Sequence, residues 1–326
     1  MSSHIFTSWE PTHTRLWGNV PFRLEHRLHQ HELFSRAALA QLIEKAPASN
    51  YMLVETGAPG QRKLWREGRL GGVPGTAVID AIAQGRFWLN LLRVNEIDQR
   101  YQALLDQIFA ELEERMPGFT TFKRINGILI SSPRAQVYYH FDTSGQTLWQ
   151  IQGAKRVYLY PPVPPFLEPE TLERVILYNN ETGIKYEPWY EDYATTVELR
   201  PGEMAQWPLN TPHRIENADE LSVSMTIEYS TKDIRRNVLV NGANGILREK
   251  LHVQPTRNLY GMSFWTKTAM YAGVAKSGIL KRERSKKRPL TFELEADSSG
   301  RAIQREAGGV AGTPVPKPAT PEVVNA

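Results

Sequence analysis

From residue 119 onward, the sequence is divided into short segments rich in β-branched and aromatic residues, separated by turn residues. Several short strands at regular spacing are typical of an antiparallel sandwich or barrel. The predicted strands cover residues 120–124, 127–131, 135–141, 147–152, 155–160, 195–200, 203–208, 213–217 and 221–229. An insertion at 163–194 interrupts them and predicts a long loop with one short helix. Loops of this kind often cover the mouth of a barrel.

Helical and mixed segments precede and follow the predicted strands. Residues 33–46 and 95–114 place apolar side chains at helical spacing. Ser35 can cap the first of these helices, and Pro117-Gly118 ends the second. The other predicted elements outside the barrel are strands at 50–55 and 87–94 and helices at 77–84 and 263–280.

This pattern divides the chain into four regions. Residues 1–118 form an N-terminal helical or mixed region that packs on the barrel, and residues 119–230 form the β core. Residues 231–280 form a C-terminal helical region, and residues 281–326 combine a basic run with a tail rich in Gly, Pro and Ala. Such a tail cannot bury a core, so we expect it to be disordered. The expected fold class is mainly β with flanking helices.

The composition excludes several classes of protein. Hydrophobic residues make up 41% and charged residues 23% of the chain, which is ordinary for a globular protein. There is no run of about 18 apolar residues, so we expect no membrane span. The chain contains no Cys, which excludes disulfides, cysteine nucleophiles and thiolate metal sites. Because the start also lacks the pattern of a secretory signal, we expect a cytoplasmic location.

The net charge of +4 is concentrated in one segment. The run Lys281–Arg288 carries six basic residues and one acidic residue, a net charge of +5, which leaves −1 for the remainder of the chain. A basic surface that binds nucleic acid is therefore not indicated for the protein as a whole. The run itself predicts either a solvated tail or a local contact with nucleic acid or acidic lipid.

His140 and Asp142 are the first candidate metal ligands. They are separated by one residue in a predicted strand, where side chains two apart point the same way. His213 follows 71 residues after Asp142, in a segment that Pro208 and Pro212 keep from being helical. Two histidines and one carboxylate match the ligand set of non-heme Fe(II) oxygenases.

Each of these histidines also has an ordinary interpretation as a hydrogen-bonded side chain, and only their combination favours a metal site. A second group of histidines, His26, His29 and His31, lies before the first strong helix. Its only nearby carboxylates are Glu25 and Glu32, and we interpret these histidines as surface residues.

Lys155 begins an alternating predicted strand that two prolines end. A lysine buried in a barrel needs an anionic partner, because an unpaired buried charge is costly. A dicarboxylate co-substrate would supply such a partner. The alternative is a surface lysine at the start of a strand.

These motifs occur in the order found in a known family. Residues 124–229, about a third of the chain, resemble the JmjC/cupin-type Fe(II)- and 2-oxoglutarate-dependent oxygenases. They are most similar to the branch that contains the factor-inhibiting-HIF asparaginyl hydroxylase. The matching stretches are Tyr139–Asp142, Trp149–Pro162 and Gly202–Asn217.

The resemblance implies a double-stranded β-helix, also called a jelly roll, with a cupin-like core. It implies that His140, Asp142 and His213 bind Fe(II) and that Lys155 pairs with the distal carboxylate of 2-oxoglutarate. Val137 stands where that branch has a threonine, so another hydroxyl is expected to help.

Three further residues are candidates for contact with the co-substrate. Tyr138 has the same strand parity as the ligands. Gln146 occupies a position that is polar in the related branch, where it would contact either the co-substrate or a metal ligand. Thr226 shares one face of the last predicted strand with Ser222, Ser224 and Glu228. That polar face suits either a wet barrel interior or an ordinary solvent surface.

The resemblance also implies a reaction. The expected activity is that of an Fe(II)/2-oxoglutarate-dependent dioxygenase, a hydroxylase that uses O2 and couples decarboxylation of 2-oxoglutarate to succinate with oxidation of a substrate C–H bond. The substrate is a protein side chain or a small molecule. The alternative is a metal-binding cupin with a non-oxygenase role, as an isomerase or as a binding or regulatory protein. We also expect the C-terminal helices to be a candidate homodimer interface.

Overall fold

The computed structural model describes residues 4–57, 65–178, 184–277 and 289–306. The strands are β1 (Phe22–Glu25), β2 (Tyr51–Thr56), β3 (Trp65–Arg69), β4 (Phe87–Leu91), β5 (Phe122–Ser131), β6 (Gln136–His140), β7 (Gly145–Gln152), β8 (Lys155–Leu159), β9 (Thr195–Leu199), β10 (Glu203–Gln206), β11 (His213–Asn217), β12 (Ser222–Ser230), β13 (Leu290–Ala296) and β14 (Ala302–Glu306). The helices are α1 (Pro11–Leu16), α2 (Arg36–Lys45), α3 (Gly75–Gln84), α4 (Val94–Ile97), α5 (Gln99–Arg115), α6 (Pro169–Tyr178), α7 (Lys232–Leu251) and α8 (Gly261–Lys276). Short 3-10 helices occur at Leu28–Gln30, Glu32–Phe34 and Pro188–Tyr193.

The strands form two sheets. One has ten strands in the order β1-β10-β7-β12-β5-β4-β2-β3-β13-β14, and the other has four in the order β6-β11-β8-β9. Strands β5, β7, β10 and β12 lie in the large sheet, whereas β6, β8, β9 and β11 lie in the small one. These eight strands pair antiparallel, and the chain crosses repeatedly between the two facing sheets, which is the topology of a jelly roll. This confirms the prediction of a mainly β protein with a double-stranded β-helix core.

An apolar cluster fills the space between the two sheets. Along β8, Lys155, Val157 and Leu159 are buried, while the side chains between them face outward. The same alternation brings Leu148 from β7 and Ile215 from β11 into this cluster. Each large aliphatic side chain that is buried in this way contributes about 1.5–3 kcal/mol. The inner cluster holds the two sheets together and forms the floor of the candidate site.

A second and larger core lies on the outer face of the ten-stranded sheet. Helix α5 buries Leu104, Leu105, Ile108 and Phe109 there, at helical spacing. Asp98 has an extended backbone and accepts a hydrogen bond from the Arg100 N–H at 3.0 Å. It therefore caps α5, and the single helix predicted at 95–114 is divided into α4 and α5.

The two ends of the chain add strands to the large sheet. Residues before 118 supply β1, β2, β3 and β4 of this sheet. The expectation of a disordered tail is wrong for residues 290–306, which form β13 and β14. Phe292 and Leu294 alternate along β13 and are fully buried, and the Phe292 ring lies over Gly68. The basic run Lys281–Arg288 and residues 307–326 lie outside the described residues.

The insertion at 163–194 contains two helical segments, α6 and the 3-10 helix Pro188–Tyr193, where the sequence predicted one short helix. Phe166 and Tyr190 of the insertion pack against Tyr139 and Tyr160 on the outer face of the small sheet. Within the part of the chain that the structure describes, no helix is both long enough and apolar enough to cross a membrane.

Candidate metal centre

Neighbouring strands of the small sheet bring the three predicted ligands together. His213 begins β11 and is the register partner of His140, the last residue of β6. Asp142 follows β6 by two residues. One ligand atom from each side chain lies within 4.8 Å of the others. The Nε2 atom of His213 is 3.5 Å from Oδ2 of Asp142, and the two imidazole centroids are 4.2 Å apart. A single divalent cation can bind all three side chains.

Both imidazole rings are oriented by the backbone. His140 Nδ1 is 2.8 Å from the carbonyl oxygen of Tyr138, and His213 Nδ1 is 2.9 Å from that of Thr211. A carbonyl oxygen only accepts, so each Nδ1 is assigned the proton and each Nε2 keeps its lone pair. Metal-binding histidines usually have such an outer hydrogen bond, which fixes the ring and its tautomer.

Burial keeps His213 neutral. The pKa of His213 lies well below its ordinary value, because the ring is buried and because His140 lies beside it. A neutral imidazole is the form that binds a metal.

Gln146 lies next to the only carboxylate of the three ligands. With its amide nitrogen turned toward Asp142, Gln146 donates to both carboxylate oxygens, at 2.9 Å to Oδ1. The opposite orientation would place the amide oxygen against the carboxylate. Gln146 therefore holds Asp142 in position from β7, in the opposite sheet, and its contact with the co-substrate stays a prediction.

We expect Gln146→Leu to weaken metal binding by about 10-fold to 100-fold, the range found for the loss of outer hydrogen bonds to metal ligands. A titration with Co(II), followed by its visible absorption, measures this change. Gln152→Leu is the matched control, since Gln152 is exposed at the far end of β7. Equal affinities in both variants would contradict this role for Gln146.

β6 contains a β-bulge just before its ligand, His140. His213 pairs with His140, but Ile215 pairs with Val137, so β6 contains one extra residue in this interval. Val137 packs against the inner cluster, whereas Tyr139 packs on the outer face. The strict alternation assumed for Tyr138, His140 and Asp142 is therefore interrupted. Tyr138 is half-buried, and its proposed contact with the co-substrate stays a prediction.

Lys155 lies in the barrel interior at the other end of β8. It is 4% exposed, and its ammonium group has no hydrogen bond or ion pair with any described residue. Burial lowers the pKa of Lys155 from 10.5 to about 7. Such a group needs an anion for full stabilisation. The alternative of a surface lysine is therefore excluded.

A polar notch lies on the facing wall of the barrel. A Cβ atom added to Gly127 would come within 2.9 Å of Thr226 Oγ1 and 3.4 Å of Asn90 Oδ1. Asn90 Oδ1 is buried, and no described group bonds to it. The glycine thus leaves room beside two polar atoms. Asn90 was not predicted as a site residue, although its position between Leu89 and Leu91 in β4 indicates a polar side chain on the opposite face of the strand.

The polar face of β12 belongs to the interior. Ser222 and Ser224 are both fully buried, and both bond to the side chain of Gln150. Met225 and Ile227, on the opposite face, enter the outer core. The solvent-surface alternative for this face is therefore wrong. Thr226 and Glu228 continue the same face toward the metal ligands.

The insertion is tied to the strand that carries His213. Arg214 donates to both carboxylate oxygens of Glu191 at 2.8 and 2.7 Å, and to Tyr160 at 3.0 Å. Paired donation of this kind fixes both partners. The 3-10 helix Pro188–Tyr193 is thus held beside the metal ligands.

The second group of histidines does not form a comparable site. Among the described residues, His140, Asp142 and His213 form the one group of three suitable ligands. His26 is buried rather than on the surface, because its ring packs on Trp149 with centroids 5.0 Å apart. Its Nδ1 accepts from the Leu28 N–H, and burial lowers its pKa to about 3. It is a core histidine.

Comparison with known proteins supports the fold. The sequence matches no protein family and no curated protein. The Escherichia coli protein ycfD aligns with a TM-score of 0.51 and 16% identity, covering 84% of this chain and 69% of that one. A second structure aligns with a TM-score of 0.48 and 17% identity, and the alignment covers 86% of this chain and 69% of that one. It shows YcfD, described as a ribosomal oxygenase from Escherichia coli, in complex with cobalt and 2-oxoglutarate. At this identity the likeness concerns the fold.

Proposed function

We propose that this chain is an Fe(II)- and 2-oxoglutarate-dependent oxygenase. One arrangement carries the proposal: two histidines and one carboxylate can bind a single cation, and a buried lysine that has no partner among the described residues lies in the same barrel. His140, Asp142 and His213 would hold Fe(II), and Lys155 would bind the distal carboxylate of 2-oxoglutarate. A site for a metal alone would not need this lysine.

The distance between Lys155 and the metal ligands, read from the strand register, can be compared with the length of 2-oxoglutarate. His213 is opposite Leu159, and Lys155 is opposite Asn217, so four residues separate the two levels. At about 3.3 Å per residue, this separation is about 13 Å. A five-carbon dicarboxylate bound at the metal would extend along this separation toward the ammonium group.

The interior provides further partners for the carboxylate. Thr226 and Asn90 flank the notch at Gly127, between the level of Lys155 and that of the metal ligands. We propose that the Thr226 hydroxyl assists Lys155, since Val137 offers none. Tyr138 remains the weaker candidate. These side chains bind and orient the co-substrate, and the apolar inner cluster excludes water.

Bound Fe(II) would supply the redox chemistry with O2, through which decarboxylation of 2-oxoglutarate to succinate is coupled to oxidation of a C–H bond. The chain holds three ligands and leaves the remaining metal positions for the co-substrate and O2. We propose hydroxylation as the outcome, with a protein side chain or a small molecule as the substrate. The fold likeness to the ribosomal oxygenase YcfD and the motif resemblance to the asparaginyl hydroxylase branch both favour this class.

We also propose a homodimer formed through α7 and α8. Met262 and Trp265 of α8 are 85% and 66% exposed, which is unusual for large apolar side chains. We propose a cytoplasmic location, in line with a chain that has no cysteine. Any contact with nucleic acid would be confined to Lys281–Arg288.

The proposed function predicts uncoupled turnover. We expect the purified protein, supplied with Fe(II), ascorbate and O2, to convert 2-oxoglutarate to succinate slowly without a substrate. Measurement of succinate by mass spectrometry, with and without a chelator, tests this expectation. A wild-type protein that binds Co(II) but shows no affinity for 2-oxoglutarate would instead favour the cupin with a non-oxygenase role, in which Lys155 has no such partner.

A further inference from the structure

Three tyrosine rings lie against one another on the outer face of the small sheet. The ring centroids of Tyr139 and Tyr160 are 5.0 Å apart, and that of Tyr186 lies 5.3 Å from the first and 6.4 Å from the second. Tyr139 and Tyr160 are buried, whereas Tyr186 is 38% exposed. The three rings therefore form a continuous path from the interior of the protein to its surface.

The two buried tyrosines are joined to the histidine ligands through short stretches of backbone. Tyr139 directly precedes His140 in β6. The backbone N–H of Tyr160 donates to the carbonyl oxygen of Pro212 at 2.9 Å, and Pro212 directly precedes His213. Because electrons tunnel through bonded atoms more readily than across gaps, each of these two rings is electronically coupled to one histidine ligand.

Two of the three phenols share one proton acceptor. The hydroxyl of Tyr160 donates to Oε1 of Glu191 at 2.6 Å, and the hydroxyl of Tyr186 donates to the same oxygen. Tyr139 differs, because its hydroxyl donates to the carbonyl oxygen of Phe166, which is too weak a base to take a proton. Packing of the rings does not require the shared carboxylate, since aromatic contacts alone account for the distances between the rings.

A shared carboxylate suits the oxidation of tyrosine. A phenol that loses an electron becomes a strong acid, so its oxidation is favourable only when a base takes the proton at the same time. Glu191 can take this proton from Tyr160, because an ionised carboxylate only accepts. It can return the proton to Tyr160 while it takes another from Tyr186. The radical thereby moves from the buried ring to the exposed ring, and no proton has to leave the cluster.

We propose that Tyr139, Tyr160 and Tyr186, with Glu191 as the shared base, form a relay that carries electrons from a soluble reductant to the metal centre. This role goes beyond the oxidation of substrate and rests on the proposed function. When O2 and 2-oxoglutarate react without a substrate, the iron centre is left two oxidising equivalents above Fe(II). It then oxidises nearby side chains unless it is reduced, and the relay reduces it from the surface.

The electrons and protons of this reduction balance. The oxidised iron centre takes two electrons, one at a time through Tyr160, and two protons from water, and it returns to Fe(II) with the release of one water molecule. Each electron that leaves Tyr160 is replaced from Tyr186, and Glu191 holds the proton in the meantime. A reductant of the ascorbate class then supplies one electron to Tyr186. Two ascorbate ions thus lose two electrons and two protons, and Glu191 ends ionised as it began.

Electron paramagnetic resonance tests the relay on the Fe(II) protein. The protein is mixed with 2-oxoglutarate and O2 without a substrate and is frozen at intervals, with and without ascorbate. Deuterated tyrosine identifies the radical as tyrosyl. We expect the wild type to form a tyrosyl radical that ascorbate removes. Tyr160→Phe should lose the radical, because the phenol of Tyr139 has no base. Tyr186→Phe should form the radical but keep it in ascorbate, because Tyr160 is buried.

Phenylalanine keeps the ring at each position, and a thermal melt shows that each variant is folded. Tyr193→Phe is the matched control, since Tyr193 belongs to the same insertion, is 60% exposed and contacts the rings of Phe166 and Trp189. It should behave as the wild type does. The relay is wrong if the wild type forms succinate without a tyrosyl radical, if Tyr160→Phe keeps the radical, or if ascorbate removes the radical of Tyr186→Phe as rapidly as that of the wild type.

A metal-free experiment separates the relay from the proposed function. The chain contains no Cys, so Lys185→Cys at an exposed position places a single ruthenium photo-oxidant beside Tyr186. A flash should form a tyrosyl radical without iron, and the further change Glu191→Gln should abolish it, because an amide cannot take the proton. Equal yields in the two proteins would contradict the relay. If the flash forms the radical only with Glu191 but the Fe(II) protein forms no succinate, the relay is supported and the proposed function is wrong.

Discussion

Replacing Asp142 with alanine is expected to abolish turnover of 2-oxoglutarate. Asp142 provides the only carboxylate among the three ligands, and only the two imidazoles remain without it. We expect the affinity for Co(II) to fall by more than the roughly 10-fold to 100-fold that the loss of an outer partner costs. Succinate formation should decrease by at least about 1000-fold, because the ligands act together on one metal ion.

This variant is suitable because it changes little else. Asp142 lies just beyond the end of β6 with its side chain 24% exposed, so alanine creates no closed cavity in the core. Asp219→Ala is the matched control, since that carboxylate is exposed and paired with exposed Arg134. Both variants should unfold at nearly the wild-type temperature. Equal Co(II) affinity in the wild type and in Asp142→Ala would contradict the metal site.

His140→Ala and His213→Ala are less clean tests of the same site. His213 is fully buried against Trp207, with ring centroids 4.9 Å apart, so its removal leaves a cavity and lowers the free energy of unfolding. A loss of activity in that variant would combine two effects. Asp142→Ala separates loss of the metal from loss of packing.

The strands of the core could be predicted from the sequence because their inward and outward residues alternate. β8 is an example, since the buried positions of Lys155, Val157 and Leu159 follow directly from that period. The bulge in β6 could not be predicted, because it depends on pairing with β11 and not on the local sequence. Consequently the three ligands were found, but the orientation of Tyr138 was not.

The parts that were overlooked depend on contacts between distant segments. Leu290, Phe292 and Leu294 alternate with polar residues in β13, but its parallel pairing with β3, more than 200 residues earlier, could not be predicted from them. Asn90 and Gly127 become a notch only when β4 pairs with β5. Gln146 was correctly predicted as a residue of the site, but its contact with Asp142 depends on how the two sheets face each other and could not be predicted.

Lys155→Met is expected to weaken binding of 2-oxoglutarate by about 100-fold or more, because the distal carboxylate would lose its charged partner. The same change should stabilise the protein without its co-substrate. Methionine has a similar length, and it replaces a buried cation that lacks a partner among the described residues. Burying a charge without a partner is costly, so its removal should raise the free energy of unfolding. Arg156→Met is the matched control, since Arg156 is the next residue of β8 and points outward.

The pH dependence of the wild type provides a second measure of the same group. Burial sets the pKa of Lys155 at about 7 in the folded protein, against 10.5 for an ordinary lysine. Below pH 7 the lysine is charged in both the folded and the unfolded state, and the full cost of burying the charge opposes folding. As the pH rises from about 7 to 10.5, only the unfolded state still holds the proton, so this group increases the free energy of unfolding.

The affinity for the co-substrate should fall over the pH range in which the stability rises. The carboxylate binds the protonated ammonium, so the dissociation constant of 2-oxoglutarate should be constant below pH 7 and rise about tenfold per pH unit just above it. Calorimetry on the Co(II) protein between pH 6 and 9 measures this dependence. Lys155→Met should lose both the dependence of binding and this contribution to stability, whereas Arg156→Met should keep both. An affinity for 2-oxoglutarate that does not change between pH 7 and 8 in the wild type would show that Lys155 does not bind the carboxylate.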